Sequence, residues 1–236
     1  MNITEEKRFI ASDQHWWFAV RRELTLRLVL KYLKPGSTIL DAGSGSGDVA
    51  VIADKNGYRV ICVDVSKKAV EKCQKKGLEA IHGDLMDLPF QDEVFDLILA
   101  LDVIEHVHDD NKALVEMNRT LKQDGILIIN VPAFKCLWSP HDEANKHFRR
   151  YERKEIITKL KSTNFKPIKR FYWNNALYLP AMLVRWGKTI LKISGDDLLI
   201  NPANQLFKIL VGAETRVAER IPFPYGISEM VVAEKC

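Results

Sequence analysis

The sequence predicts an α/β fold in which a mostly parallel sheet is covered by helices on both faces. Three observations carry that expectation. Between residues 37 and 131, short apolar runs alternate with segments of helical periodicity, as βαβ units with right-handed crossovers require. The run 95–101 is apolar almost without interruption, which suits a strand buried on both faces. Three glycines, Gly43, Gly45 and Gly47, sit where the first strand gives way to a helix.

The elements follow in order. Residues 4–33 read as helical with a break near Ser12 and Asp13, and Pro35-Gly36 ends the segment. Strands are expected at 37–41, 59–65, 78–82, 95–101 and 126–131, and helices at 48–56, 67–76 and 111–121. Ser66 is a good N-cap for the helix 67–76, and Gly77 a good residue just past its end. After Pro132 the rhythm changes. Residues 133–151 read as a long loop, 154–162 as a helix and 166–172 as a strand. Residues 176–193 and 203–220 read as amphipathic helices around a turn at Ser194-Gly195-Asp196, and 227–233 as a last strand.

Composition narrows the class. With 47% hydrophobic and 28% charged residues the chain is not disordered, and 236 residues suit one domain with an elaboration. No run of eighteen uncharged apolar residues occurs, so no transmembrane helix is expected. Residues 1–10 carry Glu5, Glu6, Lys7 and Arg8 and do not read as a secretory signal. The four cysteines form no CxxC pair, so a reduced, cytoplasmic protein without a zinc site is expected, with Cys62 a small buried hydrophobe. A net charge of +4 is too small to imply nucleic acid. Residues 141–192, however, hold thirteen Lys/Arg against four acidic residues. That balance reads either as a solvated face or as a surface for an anionic substrate or membrane.

The segment Asp41-Ala42-Gly43-Ser44-Gly45-Ser46-Gly47 is the strongest local signal. Its glycines allow a tight turn and close backbone approach to a ligand. The spacing is GxGxG rather than GxGxxG, which disfavours an NAD-dependent oxidoreductase, and the absence of GK[ST] excludes a phosphate-binding P-loop. Asp64 ends the second strand, where a carboxylate can accept both hydroxyls of a ribose. Asp84 ends the third, where it can accept from an adenine amino group between Val65 and Leu85.

Together DAGSGSG, Asp64, GDLMDLPF and FDLILALDVIEHV resemble, in order, the motifs of class I S-adenosylmethionine-dependent methyltransferases of type 11. The resemblance implies a Rossmann-like, seven-stranded sheet with an antiparallel last strand and a helical insertion before it. It implies S-adenosylmethionine as cofactor. Asp41, Gly43 and Gly45 would surround the methionine moiety, and Gly47 would shape the turn. Asp64 would hold the ribose, Asp84 and Leu85 the adenine, and the Leu101 backbone would face the methionine amino group. His15-Trp16-Trp17-Phe18, Arg21-Arg22 and the segment 138–151 are similar to a bacterial and archaeal subgroup. One domain is expected over 1–236: an N-terminal helical lid at 1–34, a cofactor core at 37–131, and a substrate side at 132–236.

Methyl transfer is an in-line displacement that rests largely on proximity, and it needs a base only when the acceptor must lose a proton. His141, His147 and His106 are the candidate catalytic residues, and Arg149, Arg150 and Tyr151 the candidate acceptor-binding ones. The alternative is a structural loop closed by Asp–Arg pairs. His141, Asp142 and His147 lack a clear third metal ligand. Trp16 and Trp17 either cover the cofactor or pack the first helix. The apolar residues of 176–220 read as core, as a homodimer face, or as peripheral membrane contact. The resulting expectation is methylation of a small or lipid-linked acceptor, on oxygen rather than nitrogen or carbon. Alternatives are a quinone- or sterol-type carbon methyltransferase and a non-catalytic cofactor-binding protein of the same fold. No nucleic-acid partner is expected.

Overall fold

The computed structural model of the protein describes residues 15–191 and 204–236. Seven strands form one sheet in the order β3-β2-β1-β4-β5-β7-β6. They are β1 (Thr38–Ala42), β2 (Arg59–Asp64), β3 (Glu79–His82), β4 (Phe95–Leu101), β5 (Leu121–Pro132), β6 (Phe165–Trp173) and β7 (Ser228–Lys235). The first five are mutually parallel. β7 is inserted antiparallel between β5 and β6. The chain therefore leaves the middle of the sheet in both directions, with the reversal between β1 and β4. A crevice opens there at the carboxyl ends of the strands.

Helices α1 (Trp16–Tyr32), α2 (Asp48–Lys55) and α8 (Asn204–Ala218) cover one face of the sheet. Helices α4 (Asp110–Thr120) and α6 (Arg153–Ser162) cover the other. Between them lie α3 (Lys67–Lys75), the short α5 (Pro140–Ala144) and α7 (Tyr178–Leu191). The alternating burial of β4 explains its apolar sequence: Leu97 and Leu99 enter the first core, and Phe95, Ile98 and Ala100 the second. Ser66 caps α3 by accepting from the Ala69 N–H at 3.4 Å, and Gly77 follows with φ of +81°. All four cysteines are free, and Cys62 and Cys73 are buried.

Two expectations change in detail. β5 begins five residues before 126, because Leu121 already pairs with Phe95 before a register shift at the left-handed Asp124. The segment 133–151 is not simply a loop. It contains a 3₁₀ turn, Lys135–Leu137, and α5, and it is closed at its base by a bridge between Ala133 and Tyr151. The break near Ser12-Asp13 and the turn Ser194-Gly195-Asp196 lie outside the described residues.

Helix α1 is part of the packed fold. Leu24 and Leu28 are fully buried, which is worth about 1.5–3 kcal/mol for each side chain. Arg27 pairs with Glu219 just beyond α8, and the Trp16 N–H donates to Asn204 Oδ1 at 2.7 Å.

Candidate active site

Gly43, Gly45 and Gly47 all take positive φ, between 55° and 75°, a region closed to most other residues. Space adds a second constraint at two of them. A Cβ on Gly43 would stand 2.2 Å from Val103 Cγ2, and one on Gly47 would stand 2.8 Å from Cys73 Sγ. The loop is fastened to the second strand end. Asp64 Oδ2 accepts from the Gly45 N–H at 2.9 Å, and Asp64 Oδ1 accepts from Ser66 N–H at 2.8 Å. Each oxygen keeps acceptor capacity, which is what two ribose hydroxyls need. Val65 beside it is 72% exposed, Leu85 is buried, and Asp84 Oδ1 accepts from the Met86 N–H at 2.9 Å.

Asp41 is buried in the floor of this crevice. Burial pushes its carboxyl up to about 7, opposed by the Arg21 charge and assisted by the Asp64 and Asp48 charges. A glycine cradle that Cβ atoms would fill, next to carboxylates at three successive strand ends, fits a nucleoside joined to a cationic amino acid.

At the end of β4, Asp102 takes φ of +53° and joins a closed ring of contacts. Arg21 pairs with Asp102 Oδ2 and donates toward the Leu101 carbonyl at 3.4 Å. Asn130 Nδ2 donates to Asp102 Oδ1 at 2.7 Å, and Trp173 Nε1 donates to Asn130 Oδ1 at 2.8 Å. Trp17 stacks on Trp173 at 5.5 Å, and the Arg21 guanidinium lies 4.9 Å over the Trp17 ring. Trp17 therefore packs the first helix against β6.

The acceptor side is organised around buried ion pairs. Asp142 Oδ1 accepts from Arg150 Nε at 2.8 Å and from His147 Nδ1 at 3.0 Å, and Asp142 Oδ2 accepts from the Ser139 N–H at 2.9 Å. Desolvation raises the Asp142 pKa, but the His147 hydrogen bond and the Arg150 and Arg185 charges outweigh it and hold the carboxyl well below its ordinary range. Arg150, only 2% exposed, also donates to the Ala133 carbonyl at 3.0 Å. Arg185 of α7 donates to the Leu137 carbonyl at 3.2 Å. A second hub is Asp110, which receives Arg149 at 2.8 Å, Lys159 at 2.9 Å and the buried Tyr151 hydroxyl at 2.8 Å. Arg149 also donates to the His108 carbonyl at 2.7 Å. Arg149, Arg150 and Tyr151 thus all bond to the protein itself. Arg150 and Tyr151 are buried, and both Arg149 and Arg150 line an open surface cavity of about 600 Å³ together with Lys135, Trp138 and Phe148.

The histidines divide. The His141 ring stands beside Asn145 on α5, at 3.3 Å. His106 and His147 meet edge to face with ring centroids 4.6 Å apart, and His141 is 6.4 Å from His147. Glu105, absent from the sequence-based candidates, lies beside this pair and is 1% exposed. Its Oε2 has no hydrogen-bond partner. Burial and the Asp102 charge raise its pKa well above the ordinary value, against Arg21 and Arg150. Phe148 N–H, donating to the Glu105 carbonyl at 2.8 Å, joins the two chain segments. The sequence signal was an adjacent Glu-His pair directly after a buried strand. Asp102 stood in the sequence motif at the end of the fourth strand without an assigned role, and Asn130, Trp173, Asp110 and Arg185 carried no comparable signal.

Comparison with known proteins bears on this geometry. The methyltransferase domain family matches residues 40–129. An uncharacterized protein of Methanocaldococcus jannaschii is 31% identical over 72% of this chain and 83% of its own length. A probable tRNA methyltransferase 9B of Homo sapiens is 34% identical over 54% of this chain, but only 27% of its own length is matched. A demethylmenaquinone methyltransferase of Thermobifida fusca is 30% identical over 51% of each chain. The chain thus spans about a quarter and about half of the length of these two named relatives.

Proposed function

From the class I S-adenosylmethionine-dependent methyltransferases, the family to which this chain belongs, we propose that the protein methylates an oxygen of a small or lipid-linked acceptor held at Glu105, His106 and His147. The observation that carries this reading is the position of that cluster. Val103, two residues before Glu105, is the side chain a Cβ on Gly43 would strike, so the cluster adjoins the glycine cradle. S-adenosylmethionine, the family's cofactor, supplies a methyl group on a sulfonium. Asp41, Gly43, Gly45 and Gly47 would enclose its methionine end, Asp64 would accept from the ribose, and Val65, Asp84 and Leu85 would flank the adenine. The Leu101 backbone would face the methionine amino group.

An acceptor hydroxyl must lose a proton for transfer. His147 is oriented for that work, because Asp142 occupies its Nδ1 and leaves Nε2 as the working nitrogen. His106 is the second candidate and His141 the third. Arg149, the least buried of the 149–151 trio, is the candidate to meet an anionic acceptor. The test is a labelled methyl donor with metabolite and lipid extracts, followed by His147→Ala and His141→Ala on the acceptor found. His147→Ala should lower kcat by ~10²–10⁴-fold with cofactor affinity nearly unchanged. Full turnover in both variants would reduce the loop to a structural role.

A second reading is a quinone-type acceptor methylated at carbon, and the name of the demethylmenaquinone methyltransferase relative supports the quinone class of acceptor. The position of the label in the product separates the two. A lipid-linked acceptor is supported by the cap. Leu179, Leu183, Trp186 and Ile190 form one exposed stripe along α7, which lies within the strongly basic segment 141–192. No helix among the described residues is long and apolar enough to cross a membrane. Flotation with anionic vesicles should show binding that fades with salt, since surface charge is screened within ~8 Å at physiological ionic strength. No flotation at low salt removes the membrane contact.

A further inference from the structure

We propose that Glu105, His106 and His147 form a binding site for one divalent transition-metal ion, placed to hold the acceptor oxygen. The role given to the ion rests on the oxygen-methylation reading above, whereas the site itself does not. One ligand atom from each residue lies within 4.8 Å of the others. Atoms bound at ~2.0–2.2 Å to a common ion sit closer than that, so modest side-chain rotation would complete the shell.

Three further observations point to a cation. First, Glu105 is buried and its Oε2 is unpartnered. A buried polar group in that state is costly unless something compensates it, and one carboxylate oxygen of Glu105 lies within 4.8 Å of a ring nitrogen of each of the two imidazoles. Second, His147 is already arranged as metal-bound histidines usually are. Its Nδ1 is hydrogen-bonded to the buried Asp142 carboxylate at 3.0 Å, which fixes the ring and leaves Nε2 as the donor. Third, burial falls across the cluster: Glu105 is buried, His147 intermediate and His106 exposed. An ion there would be closed on the protein side and would keep open positions toward the crevice.

Two imidazoles with one carboxylate suit manganese, iron, cobalt, nickel or zinc rather than magnesium or calcium, which favour all-oxygen shells. A hydroxyl bound to such an ion loses its proton more readily. With the ion bound, His147 Nε2 is a ligand rather than the base, so the proton passes to solvent. The oxygen lone pair then forms the O–CH3 bond while the C–S bond breaks and its electron pair stays on sulfur.

The experiment titrates Co²⁺ into the full chain, stripped with chelator and desalted, and follows visible absorption, with Zn²⁺ titration calorimetry in parallel. Wild type should bind one equivalent with micromolar or tighter affinity. His147→Ala and Glu105→Gln should each weaken binding more than tenfold while retaining S-adenosylhomocysteine binding, the check that each is folded. If one variant loses that check, His106→Ala takes its place. No saturable Co²⁺ binding by a wild type that binds S-adenosylhomocysteine overturns the site, as do variants that bind Co²⁺ as well as wild type. Oxygen methylation by metal-free chain would remove the ion's role and leave the proposed function standing. Stoichiometric Co²⁺ binding by a chain that methylates only carbon would do the reverse.

Discussion

The carboxylates on the two sides of the crevice have opposite surroundings. On the glycine-loop side, Asp64 and Asp84 accept from backbone N–H groups, and Asp41 is buried near other acidic residues. On the acceptor side, Asp102, Asp110 and Asp142 are each joined to arginine within the protein. The first set retains acceptor capacity for a ligand, and the second makes a frame. Glu105 is the acceptor-side carboxylate that breaks this pattern, since its buried Oε2 meets no donor. The difference teaches that charge density alone does not mark a binding residue. What matters is whether the charge is already answered inside the fold.

Breaking the frame should have the largest effect. Asp142→Ala leaves Arg150 buried beside Arg185 without its carboxylate, and removal of one member of a buried pair costs about 3–5 kcal/mol. Calorimetry should show a fall in melting temperature of roughly 6–20 °C, at 2–4 °C per kcal/mol for a domain this size. A fall under 2 °C would mean that the pair is not part of the frame.

Gly43→Ala sharpens the opposite side. It places a Cβ 2.2 Å from Val103 Cγ2 at a φ of +75°, and strain of this kind costs about 1–3 kcal/mol. S-adenosylhomocysteine affinity measured by calorimetry should fall more than tenfold. An unchanged affinity would show that the cradle is not the cofactor site.

Asp64→Ala is the milder test on the same side. Loss of a charge-assisted hydrogen-bond pair should weaken S-adenosylhomocysteine binding by more than tenfold, ~1.4 kcal/mol. Unlike Asp142→Ala, it should leave thermal stability within about 1 kcal/mol, because the partners it frees are two backbone N–H groups near solvent. A large loss of stability with unchanged affinity would invert the comparison.

The smallest effect is a pH dependence. The folded pKa of Asp41 lies at about 7, above its unfolded value of 3.8. Between those values the folded chain holds a proton that the unfolded chain has lost, so Asp41's contribution to stability falls as pH rises from about 4 to 7. Binding of a cationic amino group favours the ionised form. Cofactor affinity should therefore drop about tenfold between pH 8 and pH 6, where roughly one Asp41 in ten is ionised. Calorimetry with Asp41→Asn should show this slope flattened, and an equal slope in both proteins would assign it elsewhere.

The glycine-loop half carries its signals locally. Gly43, Gly45 and Gly47 lie within five residues, Asp64 ends a recognisable strand, and Asp84 lies two residues beyond the end of another. The acceptor half depends on distant pairs. Glu105 and His147 are brought together by a hydrogen bond from the next residue, Phe148, and nothing in either segment announces the other. The arginines at 149 and 150 read equally as anion clamps and as loop fasteners, and hydrogen-bond partners separate those roles only in three dimensions. Helix α5 was within reach. Ser139, Pro140 and Asp142 are an N-cap, a first-turn proline and an N3 acid, but the five-residue helix is too short for periodicity to reveal.

The ring that ties Trp17 and Arg21 to Asp102, Asn130 and Trp173 also bears on the order of events during synthesis. The first helix among the described residues is among the last to complete its contacts. Its partners are Trp173 and, through Trp16, Asn204, 188 residues later. At 5–20 residues per second that interval is roughly 10–40 s, during which the contacts of α1 with β6 and α8 are incomplete. Stalled nascent chains ending before Trp173 should therefore leave α1 open to protease or holding a chaperone, and chains extended past α8 should protect it.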